Sequence, residues 1–180
     1  MSGIAADVRQ PDTVATFFDF VDATFGGLDI LVNNAGIGIF APVAELDFEA
    51  WKKTLDTNLS GVFYCCKECI PRLIERGGGS IINISSLAGK NPFAGGAAYN
   101  ASKFGLNGFS EALMLDHRRN NIRVTYVMPG SVDTDFSSRS ERATWKMAPQ
   151  DVADVVMAVI RMPERTTISR VEMRPSIPPK

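Results

Sequence analysis

A tyrosine and a lysine lie four residues apart in the segment Tyr99-Asn100-Ala101-Ser102-Lys103. Within a helix, this spacing projects both side chains from one face. A free phenol has a pKa of about 10 and is a poor base near neutral pH, but a fixed ammonium nearby favours its ionised form. The pair therefore predicts proton transfer to or from an alcohol or ketone. The alternative for such a pair alone is an exposed helix face with ordinary solvation.

Ser86 lies thirteen residues before Tyr99, just after the segment 80–84, which is rich in β-branched residues and predicts a strand. A serine at a strand end can donate a hydrogen bond to the same substrate oxygen as the tyrosine. A donor placed where negative charge develops lowers the reaction barrier. Ser86 is therefore a third candidate catalytic residue, beside Tyr99 and Lys103.

Hydrophobic periodicity predicts the elements that position these side chains. The predicted strands are 3–8, 28–32, 80–84, 122–127 and 168–173, and the predicted helices are 13–25, 47–75, 97–119 and 149–160. Strands separated by helices predict an α/β fold with a parallel sheet covered on both faces. Ligands of such sheets bind at the carboxyl ends of the strands, where the candidate residues lie.

The amino-acid composition disfavours several classes of function. The 180 residues are 45% hydrophobic and 22% charged, with a net charge of -1, which predicts one domain, residues 1–180, and favours neither nucleic acid nor an acidic membrane as partner. No apolar run is long enough to span a membrane, and residues 1–7 have neither the basic region nor the long apolar core of a signal peptide, so a cytoplasmic location is expected. Cys65, Cys66 and Cys69 are expected to be reduced, partly buried thiols, and no metal site is expected.

The chain resembles the short-chain dehydrogenases/reductases. The resemblance covers nearly the whole chain from Gly3 onward and is carried by five matches in order and spacing: Asn33-Asn34-Ala35-Gly36, Asn58, Ser86, Tyr99 with Lys103, and Pro129-Gly130. It implies a three-layer, Rossmann-like parallel sheet and a catalytic set of Asn58, Ser86, Tyr99 and Lys103. In this set Tyr99 is the acid/base, Lys103 lowers its pKa and binds the nicotinamide ribose, Ser86 polarises the carbonyl, and Asn58 holds a water of a proton relay.

The resemblance also implies a binding site for NAD or NADP. Its residues are Asp7 near the adenine, Tyr99 and Lys103, and Pro129, Gly130, Val132 and Thr134 beside the nicotinamide. Asn33, with its neighbours Ala35 and Gly36, has a mixed role, partly fixing the central strands and partly lining the adenosine ribose site. Alternatives exist for two of these groups. The segment 34–36 could be a simple polar turn, and Asp7 could be an acidic turn residue before a helix.

The family's glycine-rich phosphate loop is absent, since no Gly-x-x-x-Gly-x-Gly pattern precedes Asp7. We therefore expect a partial domain that lacks the first two strand-helix units and binds cofactor poorly. The strand 28–32 would then have an open, apolar edge. Alternatively, the strand ending at Asp7 slides in beside it. The choice between NAD and NADP stays open, because its determinant lies at the end of an absent strand.

The expected activity is hydride transfer between a nicotinamide cofactor and a small carbonyl or secondary alcohol. The tail 170–175 resembles the tails of 3-oxoacyl-carrier-protein reductases and 3-hydroxy acid dehydrogenases. The substrate lid implied between Thr134 and Pro149 is short and polar, notably in residues 135–140, and offers little apolar surface for a steroid. The family implies a homodimer or homotetramer through the helices of Asn58 and Tyr99. The alternative is a catalytically incompetent fragment that only docks onto full-length subunits.

Overall fold

The structure, a computed structural model, describes residues 2–134, 136 and 145–177. Four parallel strands form one sheet in the order β1-β2-β3-β4. The strands are β1 (Ile30–Asn33), β2 (Gly79–Ile84), β3 (Ile122–Pro129) and β4 (Arg170–Met173). The helices are α1 (Pro11–Phe25), α2 (Phe48–Leu55), α3 (Gly61–Glu75), α4 (Ala97–His117) and α5 (Pro149–Ile160). The predicted α/β class with a parallel sheet is confirmed.

Helices cover both faces of the sheet, because alternate strand residues point to opposite sides. Ile81 of β2 packs into a core with residues of α1, α3 and α4, whereas its neighbour Ile82 packs into a second core with Val159 of α5. The three-layer arrangement is confirmed. Among the described residues, no helix has both the length and the apolar character that a membrane crossing requires.

Local signals explain where several helices begin and end. Pro11 begins α1, and Gly26 ends it in the left-handed conformation with φ 73°. The Asp47 carboxylate accepts a hydrogen bond from the backbone N–H of Ala50 at 2.6 Å and caps α2. At α5, the Asp151 side chain accepts from the N–H of Ala148 at 2.8 Å. These boundaries agree with the predicted ones to within two residues.

The predicted helix 47–75 contains an irregularity that its hydrophobic pattern did not show. Residues Asp56–Ser60 form a π-helical turn between α2 and α3, in which the N–H of Gly61 bonds to the carbonyl of Asp56. Such turns inside α-helices occur often at functional sites. Asn58 lies in this turn.

The predicted strand 3–8 is wrong. Residues 2–7 pair with no strand, although Val8 packs onto the core so closely that a Cβ at Gly61 would lie 2.9 Å from its Cγ2. The alternative in which this segment joins β1 is not found either. In the described part of the chain β1 pairs with β2 alone, and the predicted open edge is confirmed. A short apolar run forms a strand only when a neighbour satisfies its backbone hydrogen bonds.

Candidate active site

The residues with the strongest sequence signal converge on one cavity of about 870 Å³ at the carboxyl ends of the strands. Ser86 follows β2, and Tyr99 and Lys103 lie one turn apart on α4; all three line the cavity. Asn58 is fully buried beside it, within hydrogen-bonding distance of α4 through Ser102. The structure thus brings together the four residues of the predicted catalytic set.

Lys103 forms the floor of the cavity. Only 4% of the residue is exposed, and its Nζ donates a hydrogen bond to the carbonyl of Ile84 at 2.8 Å. Burial lowers the pKa of this ammonium to about 8. An ammonium has three N–H donors, so two are left for groups within the cavity.

Burial has the largest effect on the pKa of Tyr99. It raises the pKa of the phenol above its ordinary value, and a hydrogen bond with the Ser86 hydroxyl only partly opposes the rise. The lowering of this pKa by Lys103 stays a prediction. The Lys103 Nζ lies 5.7 Å from the centroid of the Tyr99 ring and bonds to a backbone carbonyl instead. Tyr99 therefore keeps its proton at neutral pH and is poised as an acid.

The Asn58 side chain fastens the loop after β1 to the π-helical turn. Its Nδ2 donates to the carbonyl of Ile37 at 2.9 Å and to Ser102 Oγ at 3.1 Å, and its Oδ1 accepts from the N–H of Ile37 at 2.8 Å. Both amide donors are used. One lone pair of Oδ1 is left to accept a hydrogen bond from the water that the family resemblance implies.

The residues predicted to bind the adenosine half of a cofactor are divided between two cavities, and Asn33 and Ala35 share the smaller one. Gly36 lines the large cavity, and Ala35 lines a separate cavity of about 250 Å³. Asn33 is buried and donates to Asn83 Oδ1 at 2.9 Å, which ties β1 to β2. Its strand-fixing role, one half of the expectation, is therefore present in the structure.

Asp7 forms an ion pair with Arg9, two residues away in the chain. Its carboxylate accepts hydrogen bonds from the Arg9 side chain, with Nε at 2.9 Å and Nη2 at 2.6 Å, and from the Arg9 backbone N–H at 3.0 Å; these bonds lower the pKa of Asp7 to about 2. Asp7 is not among the described residues that line the large cavity. The adenine-binding role stays a prediction, and the structure shows an ion pair there.

The segment after β3 follows the cavity wall. Pro129, Gly130, Val132 and Thr134 all line the cavity. The Gly130 N–H donates to the carbonyl of Met173 at 2.9 Å, so β4 holds the end of β3 in place. Val132 and Met147 form an isolated β-bridge, so the two ends of the predicted lid lie side by side. Of that lid, residues 135 and 137–144 lie outside the described residues.

Sequence reasoning missed the aromatic residues around Tyr99. The rings of Phe40, Phe93 and Phe136 lie with their centroids 5.6, 6.4 and 5.6 Å from that of Tyr99. Each follows a strand end by several residues, in a loop that periodicity does not describe. The one feature of the sequence that could have indicated them is that a phenylalanine follows each of three strands. Lys146, which also lines the cavity, was missed as well.

The fold and the cavity define an α/β protein with a large cavity at the carboxyl ends of its strands. Comparison with known proteins gives the family. The family model of the short chain dehydrogenases matches residues 1–145. The chain belongs to this family of oxidoreductases.

Three similar proteins are informative. An NADP-dependent 3-hydroxy acid dehydrogenase of Salmonella typhi is 34% identical, over 94% of this chain and 73% of its own length. A metagenomic short-chain oxidoreductase in complex with NADP is 38% identical with a TM-score of 0.84, over 98% of this chain and 75% of that structure. A serine dehydrogenase from Escherichia coli is 34% identical with a TM-score of 0.83, over 93% and 72% of the two chains.

Proposed function

We propose that the protein transfers hydride between a nicotinamide cofactor, NAD or NADP, and a small carbonyl or secondary alcohol. The observation that carries this proposal is the convergence of Ser86, Tyr99 and Lys103 on one cavity at the strand ends. A neutral phenol, a hydroxyl and an ammonium beside one another supply the groups that proton transfer to a carbonyl oxygen requires.

In the direction of reduction, Tyr99 donates its phenolic proton to the substrate oxygen as negative charge develops there. The Ser86 hydroxyl donates a hydrogen bond to the same oxygen and stabilises that charge. The buried Lys103 ammonium stabilises the phenolate that Tyr99 becomes. Asn58 acts as a positioning residue, because its side chain holds the backbone of Ile37 rather than facing the cavity.

The residues that face the cavity fit a nicotinamide cofactor, which would supply or accept the hydride. Lys103 has two N–H donors free of Ile84 for ribose hydroxyls. Gly36 also lines the cavity, and a Cβ there would lie in ordinary van der Waals contact, 3.4 Å from Asn58 Oδ1 and 3.8 Å from Lys103 Nζ. NADP is favoured as the cofactor by the relative named as NADP-dependent and the similar structure that contains NADP.

The finer substrate class is a 3-oxoacyl compound or 3-hydroxy acid. Support comes from the Salmonella typhi relative and from Lys146, whose ammonium lines the cavity together with Lys103. Within the described lining, these two lysines are the charged side chains. A substrate carboxylate or thioester carbonyl would find its partner at Lys146.

The proposal includes a cytoplasmic homodimer or homotetramer. The three cysteines are free thiols, as a reducing compartment favours. Phe63 of α3 and Phe104 of α4 are each 46% exposed on the helices that the family resemblance assigns to subunit contacts. The same face also favours the second candidate function, docking of a catalytically incompetent chain onto full-length subunits. Sedimentation equilibrium of the chain alone and with a full-length relative separates the two assemblies.

The test of the activity is the replacement Tyr99→Phe. We expect turnover of a 3-oxo ester with NADPH, followed by absorbance, to fall by about a hundredfold or more. The dissociation constant for NADPH, measured by fluorescence titration, should stay nearly unchanged. Tyr64→Phe on α3 is the matched control and should keep the wild-type rate. An equal rate in Tyr99→Phe would refute the proposal.

A further inference from the structure

The side chain of Asn107 binds the chain on both sides of the candidate catalytic residue Ser86. Ser85, the residue before it, donates a hydrogen bond from Oγ to Asn107 Oδ1 at 2.5 Å. Gly89, three residues after it, accepts a hydrogen bond at its carbonyl from Asn107 Nδ2 at 3.0 Å. Asn107 lies on α4, two turns after Tyr99. One amide group on the helix of the candidate proton donor therefore bridges the segment that carries Ser86.

The chemistry of the two partners fixes the orientation of this amide. A backbone carbonyl can only accept a hydrogen bond, so the amide nitrogen must face Gly89 and Oδ1 is left for the Ser85 hydroxyl. Asparagine supplies the donor and the acceptor together. Leucine, of similar shape, supplies neither, and an ionised aspartate lacks the donor. Both contacts at once therefore need an amide at position 107.

Close packing holds the segment after Ser86 against α4. Residues Leu87–Gly89 form a short 3-10 turn in which Gly89 is buried. A Cβ at Gly89 would lie 2.6 Å from Asn107 Nδ2 and 2.7 Å from the carbonyl oxygen of Lys103, so the backbone of the turn lies directly on the helix. Only a glycine fits at such a distance, and the hydrogen bond from Asn107 sets where the turn lies along α4.

The same turn orients the Ser86 hydroxyl. The N–H of Ala88, inside the turn, donates to Ser86 Oγ at 3.1 Å and occupies one of its lone pairs. The hydroxyl proton of Ser86 stays available to the cavity, which both Ser86 and Tyr99 line. The hydrogen bond between these two hydroxyls works against the raised pKa of the phenol, so the direction of the Ser86 hydroxyl affects Tyr99.

We propose that Asn107 is a positioning residue: by holding the Ser85 hydroxyl and the Gly89 carbonyl, it sets the direction in which the Ser86 hydroxyl donates. This rests on the proposed function, which places the substrate oxygen at Ser86. Asn107 is not among the described residues that line the cavity, whereas Ser85 and Ser86 are, so Asn107 acts through Ser86 and not on the substrate. Displacement of a reacting group by about 1 Å can cost about a hundredfold in rate.

The experiment reads the Tyr99 phenol by NMR at pH 7, without cofactor, in the 180-residue chain labelled with ¹³C at tyrosine Cζ. The chain has three tyrosines, and the Tyr99 resonance is the one that Tyr99→Phe removes. We expect Ser86→Ala to move this resonance and Asn107→Ala to move it in the same direction. The double variant should show the shift of Ser86→Ala alone, because the two residues act on Tyr99 through one hydroxyl. No movement in either single variant, or additive shifts in the double variant, overturns the proposal.

A second variant and a control separate positioning from a general loss of packing. Ser85→Ala removes one partner of Asn107 with little change in volume and should also move the Tyr99 resonance. Ser110→Ala is the control, since Ser110 is buried on the same helix and accepts a hydrogen bond from Asn83 at 2.9 Å. It should lower the free energy of unfolding and leave the Tyr99 resonance in place. Near-ultraviolet circular dichroism verifies the folding of each variant, and an equal shift in Ser110→Ala contradicts the assignment.

Turnover tests the proposed function separately. For reduction of a 3-oxo ester with NADPH, we expect Asn107→Ala to lower kcat by about tenfold, with a nearly unchanged dissociation constant for NADPH. If the resonance moves as expected but Ser86→Ala keeps the wild-type rate, the positioning by Asn107 stands and the proposed role of Ser86 fails. If Tyr99→Phe loses turnover while Asn107→Ala changes neither the resonance nor the rate, the proposed function stands and the positioning fails.

Discussion

Asn58 binds the backbone of Ile37 through both ends of its amide, with Nδ2 donating to the Ile37 carbonyl at 2.9 Å and Oδ1 accepting from the Ile37 N–H at 2.8 Å. The loop after β1 thereby borders the cavity at a fixed place. Asn58→Ala leaves both backbone groups of Ile37 without this partner. We expect the free energy of unfolding to fall by about 3 kcal/mol, measured by urea titration. The control is Asn91→Ala, since Asn91 is exposed and should be nearly neutral.

The second prediction concerns the pH dependence of carbonyl reduction. The ammonium of Lys103 has a pKa lowered to about 8 and loses its charge above that pH, whereas Tyr99, with its raised pKa, still holds its proton. We expect kcat/KM for reduction to fall as pH rises through about 8. In Lys103→Met this inflection should disappear at a lower overall rate. Lys67→Met, at an exposed position of α3, should retain it; an unchanged profile in Lys103→Met would contradict this role.

The third prediction concerns stability at alkaline pH. Burial raises the pKa of Cys65 to about 11 and that of Cys69 to about 12, from 9.0, and raises the pKa of Cys66 as well. Since the folded thiols hold their protons more tightly than the unfolded ones, their contribution to stability is complete below pH 9 and is lost as pH rises toward 12. The free energy of unfolding should therefore decline above pH 9.

A cysteine variant separates this effect from the loss of packing. Cys69→Ala should make the decline above pH 9 shallower, although the variant is less stable at pH 7. Val62→Ala, at another buried position of α3, should be less stable at every pH with the wild-type slope. Urea unfolding at pH 7, 9 and 10.5 checks both. Parallel pH curves for the wild type and Cys69→Ala would refute the assignment to the thiol.

The fourth prediction concerns the open edge of the sheet. Ile30 and Val32 of β1 are 40% and 41% exposed, and the strand pairs only with β2 in the part of the chain described. Unpaired, apolar edges promote association. We expect concentration-dependent association in sedimentation velocity, reduced by Ile30→Lys. Val43→Lys removes a more exposed apolar side chain outside the sheet and should not reduce it; equal suppression by both variants would exclude the edge as the cause.

The sequence predicted most of the fold because its signals are local. Pro149 and Asp151 mark the start of α5, Gly26 marks the end of α1, and the β-branched run of β2 is bounded by glycine and serine. The strand 3–8 could not be predicted correctly in the same way. Its apolar pattern is strand-like, but a strand also needs a hydrogen-bonded neighbour, and local pattern carries no information about one.

For the candidate site, the sequence by itself determined which groups share a face: Tyr99 and Lys103 stand four residues apart on a helix, and helical geometry fixes the rest. The tertiary structure alone decided their electrostatics, since burial raises the pKa of Tyr99 and lowers that of Lys103. It also determined the hydrogen bonds of the Asn58 side chain and the packing of Phe40, Phe93 and Phe136 around the Tyr99 ring. Those contacts join residues distant in the chain, and only the packed sheet and helices bring them together.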